Sequence, residues 1–388
     1  MREVDFTLSA GPTTASARTL AALGSPITYH YDPAFLEAFR RTERKVASIF
    51  RTSGSVVLMQ GEAILGLEAG ARSLVRPGDK VLNLVSGVFG KGMGMWLRHF
   101  GADLHEIEVL YDDVVDPDDV ERFLAANPDT AMVAVVHCET PSGTATDVES
   151  IGRIASSRGV LTLVDCVSTV GGMDLRADEW GLDVCVLGPQ KCLGGPPGMS
   201  LVSVSERAWE TIEANPHAPR SSFLSLLDWR TTWFGEGRFP FTPSVAEVHG
   251  VEAACDQVLE EGLDASIARH AAAAGACRAG VAAMGLRIWP KSEAIAASCV
   301  TSIALPDGLD HDRVRAHARE RYGVMLSGGQ GAGNLVRIGH MGPTASGLYP
   351  VVGLLALGRT LLDMGVHVDV GAGVDASLAA IASRAALA

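Results

Sequence analysis

Apolar residues fall along this chain in short blocks that end at turn residues, separated by helix-length stretches of mixed character. Residues 55–60, 81–85, 105–109, 131–138, 161–164 and 184–187 are such blocks. Unbroken apolar runs of this length read as strands buried on both faces, as in a parallel sheet. Between them the periodicity predicts helices over residues 64–75, from Ser86-Gly-Val-Phe89-Gly-Lys-Gly92 onward, and after Thr146, which with Glu149 reads as a capping box. Strand and helix keep alternating up to residues 198–204, which predicts an α/β fold with a large, doubly wound, mostly parallel sheet. Ahead of the sheet, residues 34–50 predict a helix with a basic face. After it, residues 221–238 read as loop, and a long helical region follows Phe239-Pro-Phe-Thr242-Pro-Ser244 until Gly262 breaks it.

Beyond Gly262 the texture changes. An Ala-rich helix is expected over residues 265–284, strands over 286–289 and 299–305, and a helix over 311–322. Short strands at 324–326 and 335–339 and helices over 346–364 and 374–387 close the chain. The pattern divides into a large α/β domain, residues 1–262, and a smaller C-terminal α+β domain, residues 263–388.

Composition narrows the function classes. With 388 residues, 47% of them apolar, the chain can bury a large core. A formal charge of −13 argues against nucleic acid or an anionic membrane as partner. Seven cysteines without a C-x-x-C pair read as reduced thiols rather than a disulfide or zinc framework. The acidic run from Asp112 to Asp119 reads as a solvated loop and helix start, so no metal is expected. The N-terminus lacks an apolar leader pattern and no apolar run is long enough to span a bilayer, so the expected location is the cytoplasm.

Two blocks end in complementary chemistry. The run at residues 161–164 stops at Asp165, and the run at 184–187 leads through Gly188-Pro-Gln190 to Lys191, followed by Pro196-Pro-Gly198. Ligands of parallel sheets bind just beyond the carboxyl ends of the strands. A lysine amine there can form a Schiff base with a pyridine aldehyde. A carboxylate beneath the ring can hold a proton on the pyridine nitrogen and make the ring an electron sink. Ser9-Ala10-Gly11-Pro12 is an irregular opening segment, and Tyr29 sits in a proline-flanked loop that suits a pocket wall or a packed surface turn equally.

In Asp165-Cys-Val-Ser168, Gly188-Pro-Gln-Lys191 and Leu335-Val-Arg337-Ile-Gly-His340, the chain resembles the class V, fold-type I pyridoxal-dependent aminotransferases, and the resemblance covers nearly its whole length. The resemblance implies a seven-stranded sheet and a homodimer or homotetramer. It implies Lys191 as the Schiff-base lysine and proton carrier, and Asp165, Phe89, Thr140 and Ser168 around the pyridine ring. Arg337 would grip the amino-acid carboxylate with its planar fork. His340 reads as structural. Ala10, Gly11, Tyr29, Gln190 and Thr242 are further candidates to line the pocket.

The finer resemblance is to the branch that treats the unphosphorylated vitamin as substrate. It implies transfer of the amine of pyridoxamine to pyruvate, giving pyridoxal and L-alanine, in vitamin B6 degradation. Two residues support it independently. Phosphate-using relatives cup the phosphate at the helix start after the first core strand, and a tyrosine reaches in from the partner subunit to donate to it. Here these positions carry Glu62 and Phe239. A phosphate brings about −1.5 to −2 charges, and a like unit-charge pair at about 4 Å costs roughly 4 kcal/mol near an effective dielectric of 20. Glu62 would oppose a phosphate but accept a hydrogen bond from a 5′-hydroxymethyl group.

The expectation is therefore a protein without tightly bound pyridoxal phosphate, taking pyridoxal and pyridoxamine as substrates. The alternative is a pyridoxal-phosphate enzyme of the alanine–glyoxylate or serine–pyruvate type. A nucleotide-binding module is disfavoured, since no G-x-G-x-x-G follows the first strand. One departure from the finer pattern stands out: Ser327-Gly-Gly-Gln330-Gly-Ala-Gly-Asn334 holds no second arginine ahead of Arg337.

Overall fold

A computed structural model describes residues 3–385. Seven strands make the central sheet: β1 Ser55–Gln60, β2 Lys80–Val85, β3 Asp103–Glu108, β4 Thr130–Val136, β5 Leu161–Asp165, β6 Val184–Leu187 and β7 Met199–Val204. Their order across the sheet is β1-β7-β6-β5-β4-β2-β3. β7 runs antiparallel to both neighbours and the other adjacent pairs are parallel. Every residue of β5, β6 and β7 is buried, because helices cover both faces. β3 is an edge, and its Asp103, Glu106 and Glu108 keep that edge charged.

Three helices carry the site-facing architecture. α1, Pro33–Phe50, starts where Asp32 accepts from the Ala34 N–H and Pro33 fills a position that needs no donor. Its buried stripe of Phe35, Phe39, Val46 and Ile49 recurs at helical spacing. α2, Ala63–Leu74, lies directly on the sheet, because a Cβ on Gly66 would fall 2.9 Å from Ser200 Cβ and from Val202 Cγ2. α3, Val88–His99, follows β2.

The C-terminal part has its own core. Strands β8 Val300–Ala304, β9 Ser327–Gly328 and β10 Leu335–Gly339 form an antiparallel sheet in the order β8-β10-β9. In it Ser302 and Ser327 both lie opposite Arg337. Helices Leu263–Ala283 and Tyr349–Asp363 pack on it, and Val370–Ala385 packs on both helices. Phe6–Thr7 pairs in parallel with Val324–Met325, and Leu8 is buried among Val336, Ile338 and Leu354. We propose the division at Gly262 with residues 6–8 assigned to the C-terminal core; residues 1–2 and 386–388 of the expected domains lie outside the described residues.

Three local expectations are corrected. Residues 286–289 form no strand, only a bridge between Ile288 and Ile303. The expected loop at 221–238 contains helical turns, Leu226–Asp228 and Trp229–Phe234, because burying Trp229 and Trp233 outweighs the local loop preference. The last helix begins at Val370, and its expected end at Leu387 falls outside the described residues. No helix among the described residues is long and apolar enough to cross a membrane.

The close seating of α2 is testable. Gly66→Val should force the helix off β7 and cost about 1–3 kcal/mol, as overpacking does. An unchanged melting temperature would show that α2 has slack against the sheet.

Candidate active site

β5 ends at Asp165, which is buried, and the Val167 N–H donates to its Oδ1 at 3.0 Å. Burial pushes this carboxyl up to about 6, opposed by the Val167 bond and by Lys191. β6 ends at Leu187, and the turn through Gly188 delivers Lys191 to the same end of the sheet. Lys191 Nζ donates to the Ala10 carbonyl at 2.9 Å. Burial, and next the positive charge of Arg337, lower the proton affinity of the amine. A neutral amine is the form that attacks an aldehyde.

The opening segment makes room for that amine. Thr13 N–H donates to the Gln190 carbonyl at 2.9 Å, so residues 10–13 lie across the lysine turn. Gly11 has φ +95°, and a Cβ there would stand 2.3 Å from Lys191 Nζ. Only glycine fits this position on both counts.

Asp165 and Lys191 open into a cavity of about 400 Å³, whose walls include Glu62, Phe89, Thr140 and Ser168. Ser168 Oγ faces the Cys138 carbonyl at 3.4 Å. Phe89 presents its ring at the mouth, 37% exposed. Glu62 is the N-cap of α2: its Oε2 accepts from Ile64 N–H at 3.0 Å and its Oε1 from Gln190 Nε2 at 2.7 Å. Ser200 Oγ fastens the same turn, within 2.9 Å of the Gly61 carbonyl and 2.8 Å of the Glu62 carbonyl. Glu62 is thus at once a helix cap and a cavity wall. The carboxylate fixes Gln190 as donor through Nε2, and the buried Gln190 Oε1 has no partner among the described residues.

Arg337 reaches the site from β10. Its Nη1 donates to the Thr140 carbonyl at 3.0 Å, and its buried Nε has no partner among the described residues. Burial, then Arg315, push the guanidinium down to about 10. A buried cation with an unfilled donor is a seat for an anion, because its desolvation is otherwise uncompensated.

Three expected lining residues lie elsewhere. Phe239 is buried against Trp233, with ring centroids 4.3 Å apart and planes at 9°, and meets Phe39 edge-on. An apolar ring gains more in that aromatic core than at a polar cavity, so Phe239 touches no ligand seat of its own chain. Tyr29 is 69% exposed and packs on His30 and Tyr31. Thr242 borders a separate small hollow with Phe223 and Phe241. One other expectation agrees with the structure: His340 is buried with Nε2 2.9 Å from Thr301 Oγ1. Cys192, next to the lysine, is also buried, with its thiol donating to the Ser168 carbonyl at 3.1 Å. Burial raises the Cys192 thiol well above its usual range, which leaves it a poor nucleophile.

The sequence reading missed other wall residues. Val167, Cys138 and Trp96 line the cavity. Trp96 falls seven positions after Phe89 on α3, a helical repeat that points both to one side. It also missed Glu139, buried at a strand end, whose carboxyl burial pushes up to about 7 against bonds from Gly90 and Phe89.

Comparison with known proteins follows the same lines. A family model for aminotransferase class V matches residues 16–341. A pyridoxamine–pyruvate transaminase from Mesorhizobium japonicum is 46% identical over 378 residues, covering 97% of this chain and 96% of the relative. The crystal structure of a pyridoxamine–pyruvate aminotransferase from Mesorhizobium loti superimposes with a TM-score of 0.96 at 45% identity, covering 99% of this chain and 98% of that one. A ureidoglycine–glyoxylate aminotransferase from Bacillus subtilis has a TM-score of 0.91 at 29% identity, covering 96% and 97%.

These findings overturn one expectation. Class V aminotransferases depend on pyridoxal phosphate bound as cofactor, so the expectation of no tightly bound pyridoxal phosphate does not stand. The donor set fits the pyridoxyl ring: an amine of lowered proton affinity, a buried carboxylate and an aromatic wall share one cavity.

The Asp165 titration gives a pH prediction. A ligand ring protonated at nitrogen needs the charged carboxylate, which in the free protein is present above about pH 6. Ring affinity should therefore fall by up to about tenfold per unit as pH drops below that value. Asp165→Asn should bind more weakly and lose this acid limb; an identical limb in the variant would place the titrating group elsewhere.

Proposed function

The chain belongs to the class V aminotransferases, and we propose that it moves the amine of pyridoxamine to pyruvate, giving pyridoxal and L-alanine. The observation that carries this reading is that the Lys191 amine and the buried Asp165 carboxylate share one cavity, while the Arg337 guanidinium, with an unfilled donor, is bonded to the carbonyl of the wall residue Thr140 and close enough to repel the lysine charge. Near-full-length identity of 46% to a protein of that activity supports it.

A bound pyridoxyl group supplies an aldehyde carbon that exchanges amines and a ring that takes up electrons. In this reading Lys191 holds and moves a proton at Nζ, steadied by the Ala10 carbonyl. Asp165 keeps a proton on the ring nitrogen. Phe89, Thr140 and Ser168 flank the ring, and Glu62 accepts a hydrogen bond from the 5′-hydroxymethyl group of pyridoxamine. Arg337 takes the oxo-acid carboxylate. The loop from Gly329 to Asn334 carries no Lys or Arg, so it adds no second cation to that grip.

The proposal extends to setting. The described cysteines are all free and buried, as suits the reducing cytoplasm. Exposed Ile64 and Met95 beside the cavity form an apolar rim that a second copy would cover, which favours a homodimer or homotetramer. The reaction would serve breakdown of the B6 vitamin. Purified protein given pyridoxamine and pyruvate should release pyridoxal and L-alanine in equal amounts. Transfer confined to glyoxylate from an amino acid would instead select the alanine–glyoxylate type of activity.

Two substitutions separate the roles. Lys191→Ala should abolish turnover while the protein stays folded. Arg337→Ala should weaken pyruvate binding by about 1.5–3 kcal/mol, the worth of a charge-assisted hydrogen bond, and pyridoxamine binding far less. Equal losses for both substrates would mean that Arg337 does not face the carboxylate.

A further inference from the structure

We infer that Glu139 is a positioning residue of this site: its buried carboxylate sets where the Phe89 ring stands, and its backbone ties that wall to the Arg337 seat. The inference rests on the proposed seating of the pyridine ring against Phe89.

The first turn of a helix leaves backbone N–H groups without intrahelical partners. The N-cap of α3 is Gly87, which offers no side-chain cap. Glu139, 50 residues along the chain from Phe89, does the capping: Oε2 accepts from the Phe89 N–H at 3.0 Å and Oε1 from the Gly90 N–H at 2.6 Å. Two glycines make its berth. A Cβ on Gly87 would lie 2.5 Å from Glu139 Cδ, and one on Gly90 would lie 3.2 Å from Oε1.

Phe89 is one of the two residues whose backbone N–H this cap holds. Its ring has no aromatic stacking partner among the described residues, and it stands 37% exposed at the cavity mouth. Its placement follows from where its own backbone is held.

The backbone of Glu139 holds the turn whose Thr140 carbonyl bonds Arg337. Its carbonyl accepts from Gly143 N–H at 2.7 Å and from Ser142 Oγ at 3.2 Å, closing the turn that begins at Thr140. The Thr140 carbonyl in turn accepts from Arg337 Nη1. A serine or aspartate at position 87 could cap α3 without burying a distant carboxylate. What Glu139 adds is the link between the ring wall and the arginine.

Glu139→Gln keeps the size but turns an NH₂ group toward one of the two N–H donors, so one bond is lost. Pyridoxal affinity is read from Schiff-base absorbance, alongside Michaelis constants and the melting temperature. Ring affinity and the constant for pyridoxamine should weaken about tenfold, while the constant for pyruvate, served by the unchanged backbone carbonyls, should hold. In a Phe89→Ala background the same change should add no more than about twofold, because both act through one wall. A global loss of stability would instead weaken both substrates in both backgrounds.

Unchanged ring affinity in Glu139→Gln, or a full tenfold loss repeated in the Phe89→Ala background, overturns the inference. If Glu139→Gln does not fold, Gly87→Ala displaces the carboxylate from the opposite side and should give the same pattern; wild-type ring affinity in folded Gly87→Ala overturns it as well. A wild-type chain that forms no Schiff base with pyridoxal overturns the functional reading and this inference together, whereas a wild type that does so with an equal Glu139→Gln overturns the inference alone.

Discussion

Lys191 Nζ is held largely out of water, and its hydrogen-bond partner is the carbonyl of Ala10 rather than a carboxylate. Loss of hydration is the largest influence on the amine, and the second is repulsion from the buried Arg337 guanidinium. Both favour the neutral form. The attractions of Glu62 and Asp165 act in the opposite sense and are smaller. A lysine in water would be almost wholly protonated at neutral pH and poorly nucleophilic. The site's chemistry therefore depends on the packing that excludes water from one amine.

That packing needs both ends of the chain. Residues 6–8 are anchored in the C-terminal core, and the segment that follows crosses Lys191, with Gly11 leaving space for the amine. β10 brings Arg337 from the small sheet to the Thr140 carbonyl in the turn beyond β4 of the large one. The central sheet contributes Asp165 and the lysine turn from adjacent parallel strands. The cavity thus reports on the joint between the two cores as much as on either sheet.

Much of this was legible in the sequence because the strong signals were local. Short apolar runs ending at Asp165 and shortly before Lys191 placed both groups at one end of a parallel sheet, and β6 lies at residues 184–187 as expected. What was hidden depends on tertiary packing. Phe239 and Trp233 bury each other, and no local pattern says that a ring flanked by Arg238 and Pro240 will prefer the core. The strand expected at 286–289 had the right residues but found only one bridging partner at Ile303. Glu139 looked like one more polar residue after a strand; its role as a cap emerges only when β4 and α3 come together. Family membership, rather than the charge of Glu62, decided the cofactor, since Glu62 also serves as the N-cap of α2 and its negative charge has a structural use.

The central claim is that Lys191 is the amine that engages the B6 aldehyde, and reductive trapping tests it most directly. Protein mixed with pyridoxal and treated with borohydride should carry one stable pyridoxyl group per chain, and peptide mapping should place it on Lys191. A pyridoxyl group on any other lysine, or none after complete reduction, would contradict the account.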